Sequence, residues 1–198
     1  MSIHYKKRNV SIDSSSPLAK SNLNDILLEY LDNYYDNSYD KLVILCIGTD
    51  RSTGDSLGPL IGYKLYDMLK IYPNVLVLGT LDSPVHAKNL EKKIEWIYSQ
   101  FKKPFIIAID ACLGKQERIG YINICKGSIK PGAGVNKVLP EVGDMHITGI
   151  VNFSGFMEYI VLQNTRLNLV MRIADIVSSS LIISLWRFFK KQKELNQK

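Results

Sequence analysis

The chain has 198 residues, of which 46% are apolar and 22% charged, with Pro and Gly at ordinary levels; this excludes a disordered or fibrous chain and fits one domain with a full hydrophobic core rather than two. Lys and Arg number 25 against 19 acidic residues, a net charge of +6, but much of the excess sits in Lys6-Lys7-Arg8 and in the run from Arg187 to Lys198. Terminal runs of that kind read as solvated ends rather than as the single basic face that a nucleic acid requires.

Residues 1–20 are polar and Ser-rich and are expected to form a loosely held arm, with His4 inert in it. They hold no apolar run of signal-peptide type, so the expectation is a cytoplasmic chain with no membrane partner. Leu23, Ile26, Leu27, Tyr30 and Leu31 recur at helical spacing and predict a first helix over 22–35, with Asn22 or Asn24 as its cap. From Leu42 to Gly48 the chain is continuously apolar and ends in glycine, the pattern of a strand buried on both faces of a parallel sheet. The runs Val75 to Gly79 and Phe105 to Ala111 repeat that pattern, with helical segments over 56–71 and 86–101 beside them. Alternating strands and helices call for right-handed crossovers, hence an α/β fold: a three-layer, doubly wound, mostly parallel sheet with helices on both faces.

A strand over 119–125, a loop containing Lys130-Pro-Gly-Ala-Gly134 and a short strand over 147–151 follow. Leu167, Val170, Met171, Ala174, Val177, Leu181 and Leu185 then keep near one face of a closing helix over 166–189, which should cover the sheet. The stretch 176–189 within it reads as too short and too Ser-interrupted to span a membrane. The plan is an arm over 1–20, a single α/β domain over 21–190 and a basic tail over 191–198. Cys46, Cys112 and Cys125 lie in or beside apolar segments without metal-binding spacing, and are expected as buried reduced thiols.

Ligands of open α/β sheets collect outside the carboxyl ends of the strands, so the residues just past Gly48, Gly79 and Ile109 are the candidates. Gly48-Thr-Asp-Arg-Ser-Thr-Gly-Asp-Ser-Leu-Gly-Pro59 is a long turn that enters a helix, and Pro59 fits only the first turn of that helix. Asp55 then stands at the helix start, where it reads either as a cap or as an anion held by the helix dipole. Asp50, Ser52 and Ser56 on the same turn, and Lys130 on the later loop, are candidate substrate contacts. Asp110 follows an apolar run, and a carboxylate at the rim of a core needs a partner or a perturbed pKa. If their strands are neighbours, Asp55 and Asp110 share one crevice and can hold a water, one acid protonated and the other acting as base. Two carboxylates with an imidazole are also a metal site with open positions. His86, at a helix start, reads as a cap or surface residue, whereas His146 divides evenly between structural and functional readings.

Gly54-Asp-Ser-Leu-Gly58 matches both the G-x-S-x-G elbow and the GDSL string of a serine esterase family, which would make Ser56 a nucleophile. An elbow belongs directly at a strand end, however, and Asp144 and His146 stand one residue too close for the esterase Asp-x-x-His pair. No Gly-Lys-Ser/Thr ending and no G-x-G-x-x-G follows a strand, so a nucleotide cofactor is unsupported.

The segments CIGTDRSTGDSLGPLIG, GTLDSPVHAKNL, IAIDACLG and KPGAGVNKVLPEVGD, with the long closing helix, resemble the YyaC-type sporulation proteins of spore-forming Firmicutes over about residues 42–185. Those proteins look like a reduced form of the germination protease that degrades small acid-soluble spore proteins, sharing the segments Asp55 to Pro59, Ile109 to Ala111 and Lys130 to Val135. The resemblance implies that Asp55 and Asp110 are a catalytic pair. A more distant similarity to hydrogenase-maturation endopeptidases, whose sites bind nickel through two acids and a histidine, implies that Asp55, Asp110 and His146 occupy matching places and are candidate ligands of a metal left unspecified. The implied protein is a spore endopeptidase that hydrolyses peptide bonds with water, with His146 as auxiliary acid, base or ligand and a divalent metal admitted but not required. Its implied partners are protein or peptide substrates, small spore proteins among them, in the cytoplasm of the spore or forespore; a homo-oligomer is left open. The competing readings are a catalytically silent spore peptide-binding protein and a GDSL-like serine esterase.

Overall fold

Two of the three apolar runs are buried on both faces and pair inside one sheet, whereas the third, over 75–78, is its edge strand with alternate residues half-buried, not the doubly buried strand expected. Lys41–Cys46 (β2), Val75–Leu78 (β3) and Pro104–Gly114 (β4) run parallel, with β2 in the middle and Leu42 aligned with both Val75 and Phe105. The computed structural model describes residues 9–131 and 139–195. Met145–Phe153 (β6) continues the parallel set beyond β4, Tyr121–Lys126 (β5) runs antiparallel to β6, and Val10–Asp13 (β1) runs antiparallel to β5. The order across the sheet is β1-β5-β6-β4-β2-β3.

Side chains alternate between the faces of a strand, and that alternation divides the core. Phe105, Ile107 and Ile109 join the layer made by Ala19–Tyr34 (α1), Leu57–Leu69 (α2) and Leu167–Leu195 (α5). Ile106 and Ala108 face the other way, where Val43, Leu45 and Ile47 meet Leu90 and Ile97 of Leu90–Gln100 (α3). The three-layer, mostly parallel α/β architecture expected from the sequence is the one observed. A short helix, Glu158–Gln163 (α4), sits beside the turn that enters α2.

Three expectations are corrected. The arm does not extend to residue 20: Val10 pairs with Ile124 and Ile12 is buried, so the sheet takes in the chain from Val10. Helix α1 begins at Ala19, with Leu18 in the cap position and no side-chain cap, so neither Asn22 nor Asn24 caps it. The closing helix runs on to Leu195, because Arg187 and Lys191 pair with Asp25 and Asp32 of α1 at 2.9 and 2.8 Å; most of the expected basic tail is therefore helix. His4, Lys6, Lys7, Arg8 and the loop residues Gly132, Ala133, Gly134 and Val135 lie outside the described residues.

By length and composition alone α5 would cross a bilayer, with a mean hydropathy of 1.6, and 56% of that apolar window is buried in the fold. Its three buried serines are all hydrogen-bonded. Ser178 donates to the Ala174 carbonyl at 2.7 Å, Ser180 to the Lys20 carbonyl at 3.2 Å and Ser184 to Asn24 Oδ1 at 2.9 Å, so two of the three tie α5 to α1. Leu185, 0% exposed, packs in the same seam. Leu185→Ala should lower the unfolding free energy by about 3 kcal/mol in urea titration, whereas Ile183→Ala, at a residue 45% exposed, should stay within about 0.5 kcal/mol of the parent.

Candidate active site

The parallel strands end at different heights. β2 stops at Cys46, opposite Ile109, and the Ile47 N–H gives one more bond, 2.7 Å, to the Ile109 carbonyl. β4 continues to Gly114, so Asp110 lies within the strand rather than at its end. Because Ile109 turns toward the α1, α2 and α5 layer, Asp110 emerges on the α3 face, just past the last rung that β2 supplies. It is 7% exposed, and its Oδ1 accepts the Ala111 N–H at 2.9 Å.

The turn after β2 folds back over that opening. Gly48 has φ +146°, and a Cβ there would lie 2.0 Å from the Asp55 carbonyl oxygen, which also accepts the Thr49 N–H at 3.0 Å. This closure places Asp55, in a short 3-10 turn over Gly54–Ser56, above the end of β2. Gly58 packs as closely, since a Cβ on it would meet the Ile47 carbonyl at 2.0 Å. From the other side Val85 bridges Ile47 in parallel and accepts the Gly48 N–H at 2.8 Å, which brings His86 to the same edge.

Asp55 and Asp110 consequently line one pocket of about 250 Å³. Arg51, His86, Lys88 and Tyr159 are its other ionisable lining residues among those described, and Ile47, Leu139 and Leu162 are part of its apolar wall. Burial raises the Asp55 carboxyl above the ordinary aspartate range, and the neighbouring Ser52 opposes that rise. The Ser52 hydroxyl is itself buried and forms no hydrogen bond of good geometry. His86 Nδ1 accepts the Lys88 N–H at 3.3 Å, which leaves the ring proton on Nε2. Its backbone N–H donates to Asn89 Oδ1 at 2.8 Å, and Asn89 donates in turn to the Pro84 carbonyl at 3.0 Å, so the loop carrying it is braced. Met157, which leads into α4, has φ 57°, a strained left-handed conformation for a residue with a side chain.

Of the candidate residues read from the sequence, only Asp55 and Asp110 are among the described lining of this pocket. His146 stands opposite Ala108 on β6, one row before Asp110, with Nδ1 2.8 Å from the Gly127 carbonyl, so it serves the sheet. The candidate metal set of Asp55, Asp110 and His146 is therefore not assembled, and no group of three His, Cys, Asp or Glu among the described residues is arranged to hold a metal. Asp50 is exposed. The Ser56 hydroxyl donates to the Thr53 carbonyl at 2.7 Å, while Asp144 accepts the Ile106 N–H at 2.7 Å, so no esterase triad forms. Lys130 is exposed and pairs with Glu141 at 3.3 Å. The sequence reading missed His86: the only signal was its place in the segment after Gly79, and the Ile47–Val85 bridge that delivers it has no local signature.

Fold and site together define an α/β protein with a two-carboxylate pocket at the carboxyl ends of its parallel strands. The chain belongs to DUF1256, a family described as protein of unknown function, which matches residues 11–180. It is 58% identical over 143 residues to the uncharacterized protein YyaC of Bacillus subtilis (strain 168), covering 72% of this chain and 69% of that one. The resemblance to YyaC-type proteins read from the motifs is thus borne out. Among solved structures it is similar to the NiFe hydrogenase maturation protease HycI from Thermococcus kodakarensis KOD1, with a TM-score of 0.46 and 15% identity, over 79% of this chain and 98% of that one.

A raised carboxyl pKa has a consequence for stability. The folded chain holds the Asp55 proton more tightly than the unfolded chain, whose value is near 3.8, so this group's contribution to stability becomes less favourable as pH rises from there through the folded pKa. Asp55→Asn should therefore melt above the parent at pH 7, with the gap closing as pH falls toward 4 in a thermal scan series; an Asn variant that melts lower at pH 7 would contradict a desolvated carboxylate.

Proposed function

We propose that the protein is an endopeptidase of germination-protease kind in which Asp55 and Asp110 hold a water and direct it onto a peptide carbonyl. The observation that carries this reading is the meeting of two carboxylates, from segments far apart in the chain, in the wall of one pocket. Burial favours the protonated form of Asp55, which assigns it the role of acid and leaves Asp110 as base. Asp110 takes a proton from the water as its oxygen attacks the carbonyl carbon. When the tetrahedral intermediate collapses, Asp55 gives its proton to the departing amide nitrogen. Arg51 and the Nε2–H of His86, on the same pocket wall, are the donors available to the oxyanion. The apolar wall receives substrate side chains, and small spore proteins are the substrates that the family resemblance suggests.

Purified protein incubated with a spore-protein extract should generate new peptide termini detectable by mass spectrometry, and Asp55→Asn or Asp110→Asn should each slow this by at least about 100-fold. Ser56→Ala should leave it intact. Full cleavage by either Asn variant would overturn the reading. Saturable peptide binding without products, indifferent to both substitutions, would instead identify a silent binding protein.

A further inference from the structure

Asp110 terminates a polar row that crosses four strands. Ser11 of β1 faces Asn123 of β5, Asn123 faces Thr148 of β6, and Thr148 faces Asp110 of β4. Residues directly opposite one another in a ladder project from the same face, and the bonds follow that order. The Ser11 hydroxyl donates to Asn123 Oδ1 at 2.7 Å, and Asn123 Nδ2 donates to Thr148 Oγ1 at 3.4 Å. The Thr148 oxygen is thereby engaged as an acceptor, and its own proton is left to give.

Two groups compete for that proton. Cys112 lies further along β4 with its thiol against Thr148, but burial pushes the thiol up to about 11, so at neutral pH it is an uncharged and weak acceptor. Asp110 is a carboxylate, which accepts only. Thr148 is 8% exposed, so little water is at hand to replace a missing partner, and a buried hydroxyl whose proton is not given is a cost. Elsewhere on this face the neighbouring β4 residues Ile106 and Ala108 are buried and apolar.

We infer that Ser11, Asn123 and Thr148 are positioning residues, a hydrogen-bonded relay that presents the Thr148 hydroxyl to Asp110 and fixes the orientation of its carboxyl group. In the peptidase this keeps Asp110 aimed at the water, and that part of the inference rests on the function proposed above. Each donor polarises the next toward the acid. The relay begins on the N-terminal edge strand, so docking of β1 reaches the site through the sheet. Among the described residues, the charged and titratable groups around Asp110 are Asp55, Arg51, His86, Lys88 and Tyr159 across the pocket, Cys112 on its own strand, and Cys125 and His146 on β5 and β6 in the preceding row.

The test is a carbon-detected NMR titration of the full chain labelled at its aspartate carboxyls, with the Asp110 signal assigned by its loss in Asp110→Asn. Removing a donor to the charged form raises a carboxyl pKa. Thr148→Val should move the Asp110 midpoint up by about one unit, Thr148→Ser should restore it, and Asn123→Ala and Ser11→Ala should move it in the same direction by less. Thr148→Ala carries the same expectation if Val unsettles the sheet, and Ser11→Ala alters only an edge strand. In peptide cleavage the acid limb of the kcat/KM profile should shift with the midpoint. An Asp110 midpoint unchanged by Thr148→Val and Thr148→Ala overturns the relay whether or not peptides are cut. A shifted midpoint in a protein that cleaves nothing upholds the relay and removes the peptidase.

Discussion

The parallel pairing of β2 with β4, and the place where it stops, is the constraint from which the site follows. The ladder holds six rungs from Lys41–Pro104 to Cys46–Ile109, and all the β2 side chains after Lys41 are buried. β4 does not stop there, because β6 continues to pair with it through Asp110 and beyond. The side chain at position 110 thus emerges into the space that β2 has vacated, on the face that α3 covers only in part. Two more rungs on β2 would fill that space with another apolar side chain and seal the carboxylate away. Gly48 and Gly58 serve the same end: they let the turn press against Ile47 and Asp55 closely enough to lay the second acid over the gap.

β2 and β4 were legible because burial on both faces leaves an uninterrupted apolar run, although β3 carries a similar run at the edge of the sheet with alternate residues half-buried. Asp110 was legible for the same reason, as a charge at the border of such a run, and Asp55 through the proline that dates the start of its helix. β1 was not. An edge strand satisfies half of its backbone bonds with one neighbour, and with Ile12 as its one buried apolar residue it leaves no periodic mark among serines. The choice between His86 and His146 was hidden as well. It depends on Val85 docking against Ile47 and on Gly127 holding the His146 ring, both contacts between segments remote in sequence.

The two faces of the sheet obey different rules. On the α1, α2 and α5 side the buried serines of α5 are all bonded, and the layer is closed by leucine, isoleucine and valine. Around the pocket a carboxyl is held in a desolvated position, a buried Ser52 hydroxyl lacks a good partner and Met157 is left-handed, while the other such hydroxyl among the described residues, Ser14, lies away from it beside Gly120. Departures from local consistency that gather at one place are the mark of a site held for chemistry at some cost in stability.

The location of that place has a structural cause. Leu90 and Ile97 of α3 dry out the face over β2 and β4, while on the same face Asn123, Cys125 and His146 of β5 and β6 remain half-buried. A polar row is tolerable on the wetter half, where each group can be satisfied by its cross-strand neighbour, and an acid gains reactivity on the dry half, where its charge is poorly screened. Asp110 is the residue at which these halves meet. A sheet with β1, β5 and β6 removed would keep both acids in principle but lose β6, the partner that holds β4 extended past the end of β2, so that half of the sheet is part of the site although none of its described residues lines the pocket.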